Sequence, residues 1–221
     1  MRCAVSILAI AATTCVASAD LTNPDIPDWR GDANTSYAQW DSFTNAEGGP
    51  NSPTDGFGMN LFNFGPGAII ASSGNLYGAG GPLNIHVYPA GAPLFNAQTA
   101  VVNVAYQGNP IDVDNMQAYV GESGSGTYVN ASSVDLRYES SGGFGGATYA
   151  LTFDLSNVAF GFQSLSFFFD SAGASNSSLD AISIDVLGSA IPAPGALALL
   201  GLAGGAWGRR ALTRIWRFFF S

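Results

Sequence analysis

Thr148-Tyr149-Ala150-Leu151-Thr152-Phe153-Asp154-Leu155 is the stretch from which the fold is read. Tyr149, Leu151, Phe153 and Leu155 fall on one side of an extended chain, and smaller or polar residues fall on the other. That period of two marks a half-buried strand. The same period recurs before and after it. Thr99 to Tyr106 brings together Val102, Val104 and Tyr106, and Gln163 to Asp170 brings together Leu165, Phe167 and Phe169. Asp180 to Leu187 does so with Ile182, Ile184 and Val186. Weaker stretches of the same kind are Phe57–Phe64, Ile69–Ser72, Asn84–Tyr88, Met116–Val120 and Val134–Glu139. Gly, Asn, Ser and Pro separate them, and Ser140–Gly146 and Ser171–Ser178 read as hairpin or crossover loops. About nine strands joined by turn-rich loops predict an all-β fold, an antiparallel β-sandwich of jelly-roll type. It is expected over residues 20–187.

The two ends read differently from this body. Met1-Arg2 is a short positive start, Cys3 to Val16 is apolar, and Ala17-Ser18-Ala19 precedes Asp20. This is the layout of a signal peptide over residues 1–19, cut between Ala19 and Asp20. Thr13 and Thr14 before Cys15 do not fit a lipid-attachment site. Cleavage would remove both cysteines, Cys3 and Cys15, so the exported body would rely on its core and not on disulfides. A cysteine nucleophile and a cysteine-ligated zinc are excluded with them.

At the other end, residues 188–194 form a linker, and residues 195–221 are expected to be a membrane helix with a basic cytoplasmic tail. The uncharged run Ala196–Trp207 extends roughly 18 Å as a helix, against a hydrocarbon core of about 30 Å. It would span only by continuing past Arg209 and Arg210, whose heads can snorkel to the interface. In that continuation Arg210, Arg214 and Arg217 share one helical face, suited to an anionic cytoplasmic leaflet.

Ile191-Pro192-Ala193-Pro194-Gly195, the apolar run and Arg209-Arg210, in that order, resemble a PEP-CTERM sorting signal. Such signals occur on exported proteins of Gram-negative bacteria that make exopolysaccharide. The resemblance covers residues 191–210. It implies an exosortase-like membrane protease as partner, transient anchoring in the inner membrane, and delivery to the cell surface or extracellular matrix. Ala193 stands where the family usually has glutamate, and the chain runs on beyond the arginines where such signals usually stop.

The charge of the body narrows its ligands. All 16 acidic residues lie between Asp20 and Asp185, where Arg30 and Arg137 alone oppose them, and the chain has no lysine. Nucleic acid, which needs a basic footprint, is not an expected partner. The aromatic-rich start, Asp28-Trp29-Arg30-Gly31 and then Tyr37-Ala38-Gln39-Trp40-Asp41-Ser42-Phe43, admits two readings. Trp29, Tyr37 and Trp40 could stack on sugar rings while Arg30, Gln39 and Asp41 read hydroxyls, making a carbohydrate-binding site for exopolysaccharide. Alternatively these aromatics begin the first strand and close one end of the core. The Trp-Arg-Gly start and later Tyr-x-x-Trp also loosely resemble other exported proteins with this sorting signal.

Catalytic candidates are sparse. His86 is the lone histidine, lacks a nucleophile motif beside it, and reads as a packed or surface imidazole. Asp112 and Asp114 would project to the same side of an extended chain, offering a carboxylate pair for a glycoside hydrolase or for calcium. A solvated strand edge is the other reading of that pair. Ser178 to Val186 resembles the closing strand of galactose-binding-like jelly rolls, which implies Asp180 as a candidate calcium residue. Three Asn-x-Ser/Thr sequons, at Asn34, Asn130 and Asn176, are expected by chance in an Asn/Ser-rich chain. No catalytic residue and no cofactor is assigned. The expected function is that of an exported, non-enzymatic surface or matrix protein, with a carbohydrate-binding module as the alternative and a carboxylate-dependent glycoside hydrolase after it.

Overall fold

The alternation in Thr148–Leu155 becomes burial: Leu151, Phe153 and Leu155 are fully enclosed, and Asp154 is exposed. The computed structural model describes residues 20–90, 96–158 and 164–188. The expected signal peptide with Ala17 and Ala19, the sorting motif Ile191–Gly195, Arg209, Arg210 and the expected membrane helix lie outside the described residues. Among the described residues no helix is long and apolar enough to cross a membrane.

Thirteen strands occur among the described residues. In chain order they are β1 (Thr35–Trp40), β2 (Asp55–Gly56), β3 (Met59–Asn63), β4 (Ile69–Ile70), β5 (Leu76–Tyr77) and β6 (Asn84–Pro89). There follow β7 (Ala97–Gly108), β8 (Gln117–Val120), β9 (Thr127–Asn130), β10 (Ser133–Ser140), β11 (Gly146–Asp154), β12 (Leu165–Asp170) and β13 (Ser177–Gly188). They form two antiparallel sheets. The larger has the order β10-β11-β7-β13-β1-β2, with β5 also pairing β13 and carrying β4. The smaller has five strands in the order β3-β6-β12-β8-β9. Ser140–Gly146 is a hairpin loop between β10 and β11, while the segment after β12 carries the chain from the smaller sheet to the larger.

The four strands beyond the expected nine are β1, β2, β5 and β9. Phe57–Phe64 holds one strand, Met59–Asn63, which pairs with β6 in the smaller sheet, and a separate strand just before it, Asp55–Gly56, pairs with β1 in the larger. Gly56 and Gly58, at φ 78° and 91°, make the break. A Cβ at Gly56 would lie 2.1 Å from the Tyr37 carbonyl oxygen, so only glycine permits this close passage. Ile69–Ser72 shortens to the two-residue β4.

One hydrophobic cluster draws on both sheets, with Trp40, Val102, Val104, Leu151, Ile182 and Ile184 from the larger and Leu61, Ile85, Val87 and Leu165 from the smaller. Phe153 of β11 and Phe167 of β12 meet edge-on at 5.5 Å between centroids, linking the two. Burial of this kind contributes about 25 cal/mol per Å² of apolar surface, the main drive for a body without disulfides.

β7 and β13 are buried on both faces, which a strand with one wet face would not be. The second face lies under residues 22–34, an irregular segment crossing the outer side of the larger sheet. Asn23 exchanges hydrogen bonds with Arg137 of β10, and the Thr22 amide donates to Thr148 of β11 at 3.3 Å. The Asp25 amide donates to Asn103 Oδ1 of β7 at 2.7 Å, and Asn103 Nδ2 returns a bond to the Asp25 carbonyl. Arg30 then reaches Asp185 of β13, with Nε–Oδ1 at 2.6 Å and Nη2–Oδ2 at 2.7 Å. This strap satisfies the buried polar groups Asn103, Thr148 and Asp185, and Asn103 Nδ2 in turn donates to Ser183 Oγ at 3.2 Å.

Candidate functional site

The smaller sheet carries its apolar residues inward and an aromatic row outward. Ile85 and Val87 of β6 are fully buried, so His86 and Tyr88 must point the other way. Phe168 stands between buried Phe167 and Phe169, and Phe62 and Tyr119 follow the same rule in β3 and β8. Strand register lines these side chains up: Phe62 pairs with His86, His86 with Phe168, Phe168 with Gln117, and Gln117 with Asn130. A second row places Asn60 opposite Tyr88 on one side and Tyr119 opposite Ser166 and Tyr128 on the other. Five strands about 4.8 Å apart make a face roughly 19 Å wide across the strand direction.

The rings touch in sequence. Phe64 meets His86 at 4.9 Å, His86 meets Phe168 at 4.7 Å, and Tyr119 meets Tyr128 at 4.9 Å. Phe168 also meets Tyr88, Tyr119 and Tyr128, so it is the hub of the cluster. The rims are the most open, with Phe64 48% and Tyr128 59% exposed. A groove of about 850 Å³ runs over the face between Pro89 and the β8–β9 hairpin at Ser123, Gly124 and Gly126. Tyr119 fixes that hairpin: its hydroxyl donates to the Glu122 carbonyl at 2.8 Å and accepts from the Gly126 amide at 2.7 Å.

Polar groups are interleaved with the rings. Gln117 Nε2 donates to Asn130 Oδ1 at 2.9 Å, and His86 is hydrogen-bonded to Tyr88 through Nδ1 and to Asn84 through Nε2. Burial holds His86 below its ordinary pKa, which keeps the imidazole neutral near pH 7. Burial likewise pushes the Tyr88 hydroxyl up. The described residues lining the groove include no carboxylate and no cation. The face therefore offers flat apolar rings, amides and hydroxyls, with no charge at its centre. Such a surface is suited to a hydroxylated, apolar-faced ligand.

The residues expected from the sequence lie elsewhere and do not converge. Trp40 is fully buried in the core with Nε1 donating to the Asn51 carbonyl at 2.8 Å, so it cannot stack on a sugar. Tyr37, three residues earlier in the same strand, faces the opposite side, where the Arg30 guanidinium lies 4.0 Å over its ring and its hydroxyl donates to Gln39. Trp29 is half-buried in the strap. The aromatic platform of Trp29, Tyr37 and Trp40 is thus corrected: alternation within β1 sends Tyr37 and Trp40 to opposite faces, and Arg30 covers the ring of Tyr37.

Asp112 and Asp114 are not an extended pair. Asp112 precedes a short 3₁₀ turn, Val113–Asn115, and accepts from Asn115 Nδ2 at 2.8 Å. In a three-residue turn, positions two apart do not share a side. Asp180 is buried, and its carboxylate is met by N–H donors, Gln107 Nε2 at 2.6 Å and Asn75 Nδ2. Burial pushes its pKa up, and those donors partly offset the shift. Among the described residues no three His, Asp or Glu side chains gather where they could hold a metal ion. The arrangement around Asp180 is one of hydrogen bonding between β13, β7 and Asn75, the residue before β5. His86 is placed as a half-buried surface imidazole, and its part in the aromatic row was not foreseen.

The aromatic face was not expected from the sequence, although a signal for it existed. Each of its rings is out of phase with the buried residues of its strand, as Phe168 is between Phe167 and Phe169. The fold and site define an all-β protein of two antiparallel sheets with an outward aromatic face on the smaller one. No family model, curated protein or solved structure matches the chain.

Proposed function

We propose that this is an exported, non-enzymatic protein that binds polysaccharide on the outer face of its five-stranded sheet. The carrying observation is the registered row Phe62–His86–Phe168–Gln117–Asn130, in which three rings are continued by two amides across all five strands. Sugar rings present an apolar C–H side and a rim of hydroxyls, and that row offers a partner to each. The two sheets are read as the layers of a jelly-roll sandwich, supported by their common core and the contact of Phe153 with Phe167. The start resembling a signal peptide and the tail resembling a PEP-CTERM signal support export, transient holding in the inner membrane and release to the surface or matrix by an exosortase-like protease. Exopolysaccharide would be the ligand met there.

The test is affinity electrophoresis of the protein through gels containing polysaccharides, beside a Phe64→Ala/Tyr128→Ala variant. Both side chains are at open rims, so the variant is expected to keep the wild-type melting curve. Retardation of the wild type and its loss in the variant is the expected result. Equal retardation of both would move the site away from this face. Self-association of the wild type that the same variant abolishes would instead make the face a contact between copies.

A further inference from the structure

We infer that the polysaccharide taken by this face is an uncharged one, and that the protein discriminates against polymers carrying carboxylate, sulfate or phosphate. The inference rests on the polysaccharide-binding reading above and adds the chemical class of the ligand. Anionic glycans are held by paired arginines or lysines, whose forks and point charges match their anions. Among the described residues the cations are Arg30 and Arg137, and neither serves this face. Arg30 is committed to buried Asp185 on the outer side of the larger sheet. Arg137 is on β10 of that sheet, with Nε donating to the Asn23 carbonyl.

His86, the remaining basic side chain at the face, has both ring nitrogens engaged by Tyr88 and Asn84. It sits edge-on between Phe64 and Phe168, surroundings that disfavour an imidazolium. Asp170, at the end of β12 and opposite Asn84, puts a negative charge at one margin. The body as a whole carries 16 acidic residues, so a polyanion approaching the groove meets repulsion that acts over about 8 Å at physiological salt. A neutral chain meets none of this. Its hydroxyls can pair with Gln117, Asn130 and Asn60, and its apolar faces can lie against the rings.

The test compares polymers that share a backbone and differ in charge: hydroxyethylcellulose with carboxymethylcellulose, dextran with dextran sulfate, and methyl-esterified pectin with polygalacturonate. The full chain is run in a polyoxyethylene detergent, which contains no sugar to compete. The expected result is binding to at least one neutral polymer about tenfold tighter, or ~1.4 kcal/mol, than to its charged counterpart. That binding should change little with added salt. Tighter binding to the charged member of each pair, weakened by salt, would overturn the inference and leave the polysaccharide reading standing. Retention by none of the polymers would overturn that reading and the inference together.

Discussion

Arg30→Ala tests the strap that makes the larger sheet a two-sided structure. Arg30 forks onto Asp185 with bonds of 2.6 and 2.7 Å, Asp185 is fully buried, and the Arg30 side chain is 23% exposed. Removing one partner of a buried pair costs about 3–5 kcal/mol, because a charge remains enclosed without compensation. Water reaching the open edge of Arg30 places this pair at the low end, about 3 kcal/mol. At ~2–4 °C per kcal/mol for a body of this size, the melting temperature should fall by about 6–12 °C.

The loss carries a pH signature. Burial pushes the Asp185 carboxyl up and Arg30 offsets part of that. Without Arg30 the carboxyl rises further, so the folded variant holds a proton that the unfolded chain releases. Stability of the variant therefore rises as pH falls through that raised pKa and is lost as pH climbs above it. Melting curves of wild type and Arg30→Ala between neutral and acid pH measure both effects. The gap should narrow on acidification, and Arg30→Met/Asp185→Leu should recover most of the stability by leaving no charge behind. A loss below about 1 kcal/mol, as for an exposed pair, or a gap independent of pH, would refute the reasoning.

Three further outcomes are expected. Trp40→Ala should cost about 3–5 kcal/mol by opening a core cavity, while polysaccharide retention of the protein still folded stays unchanged; loss of retention at full folding would return Trp40 to the binding site. Asp180→Asn should steepen the acid limb of the stability profile: the folded pKa of Asp180 is raised by burial, so wild type gains on the variant as pH falls toward the ordinary carboxylate range. Parallel melting curves at all pH values would remove Asp180 from that account. Deleting residues 191–221 in the native cell should abolish processing and surface delivery, read by mass spectrometry of the mature chain and by cell fractionation; unchanged delivery would show that the tail is not a sorting signal.

How much of this was legible in the chain differs from element to element. β11, β12 and the centre of β13 were, because each places large apolar residues at every second position over a run longer than one turn of competing helix. The break at Gly56 was not, since glycines are frequent throughout and nothing local says which one lets two backbones pass. Trp29, Tyr37 and Trp40 drew notice as neighbours in sequence. Yet an offset of three within a strand sends Tyr37 and Trp40 to opposite faces, and that could have been read once β1 was placed. Phe62, His86, Phe168 and Tyr119 lie far apart in sequence, and only pairing of β3, β6, β12 and β8 makes them one row.

The sequence by itself determined the class of the body, because period-two alternation is a local property of each strand. It also determined the scarcity of cations, which no folding can alter. The tertiary structure decided which aromatics became core and which became surface, since strand register is set by contacts between distant segments. It likewise decided that residues 22–34 cover the larger sheet and that the aromatic row faces outward on the smaller one. Those outcomes depend on which polar groups find partners when faces are buried: Asp185 and Asn103 find theirs in the strap, and the described strands leave Phe64 and Tyr128 at the open rims of their sheet.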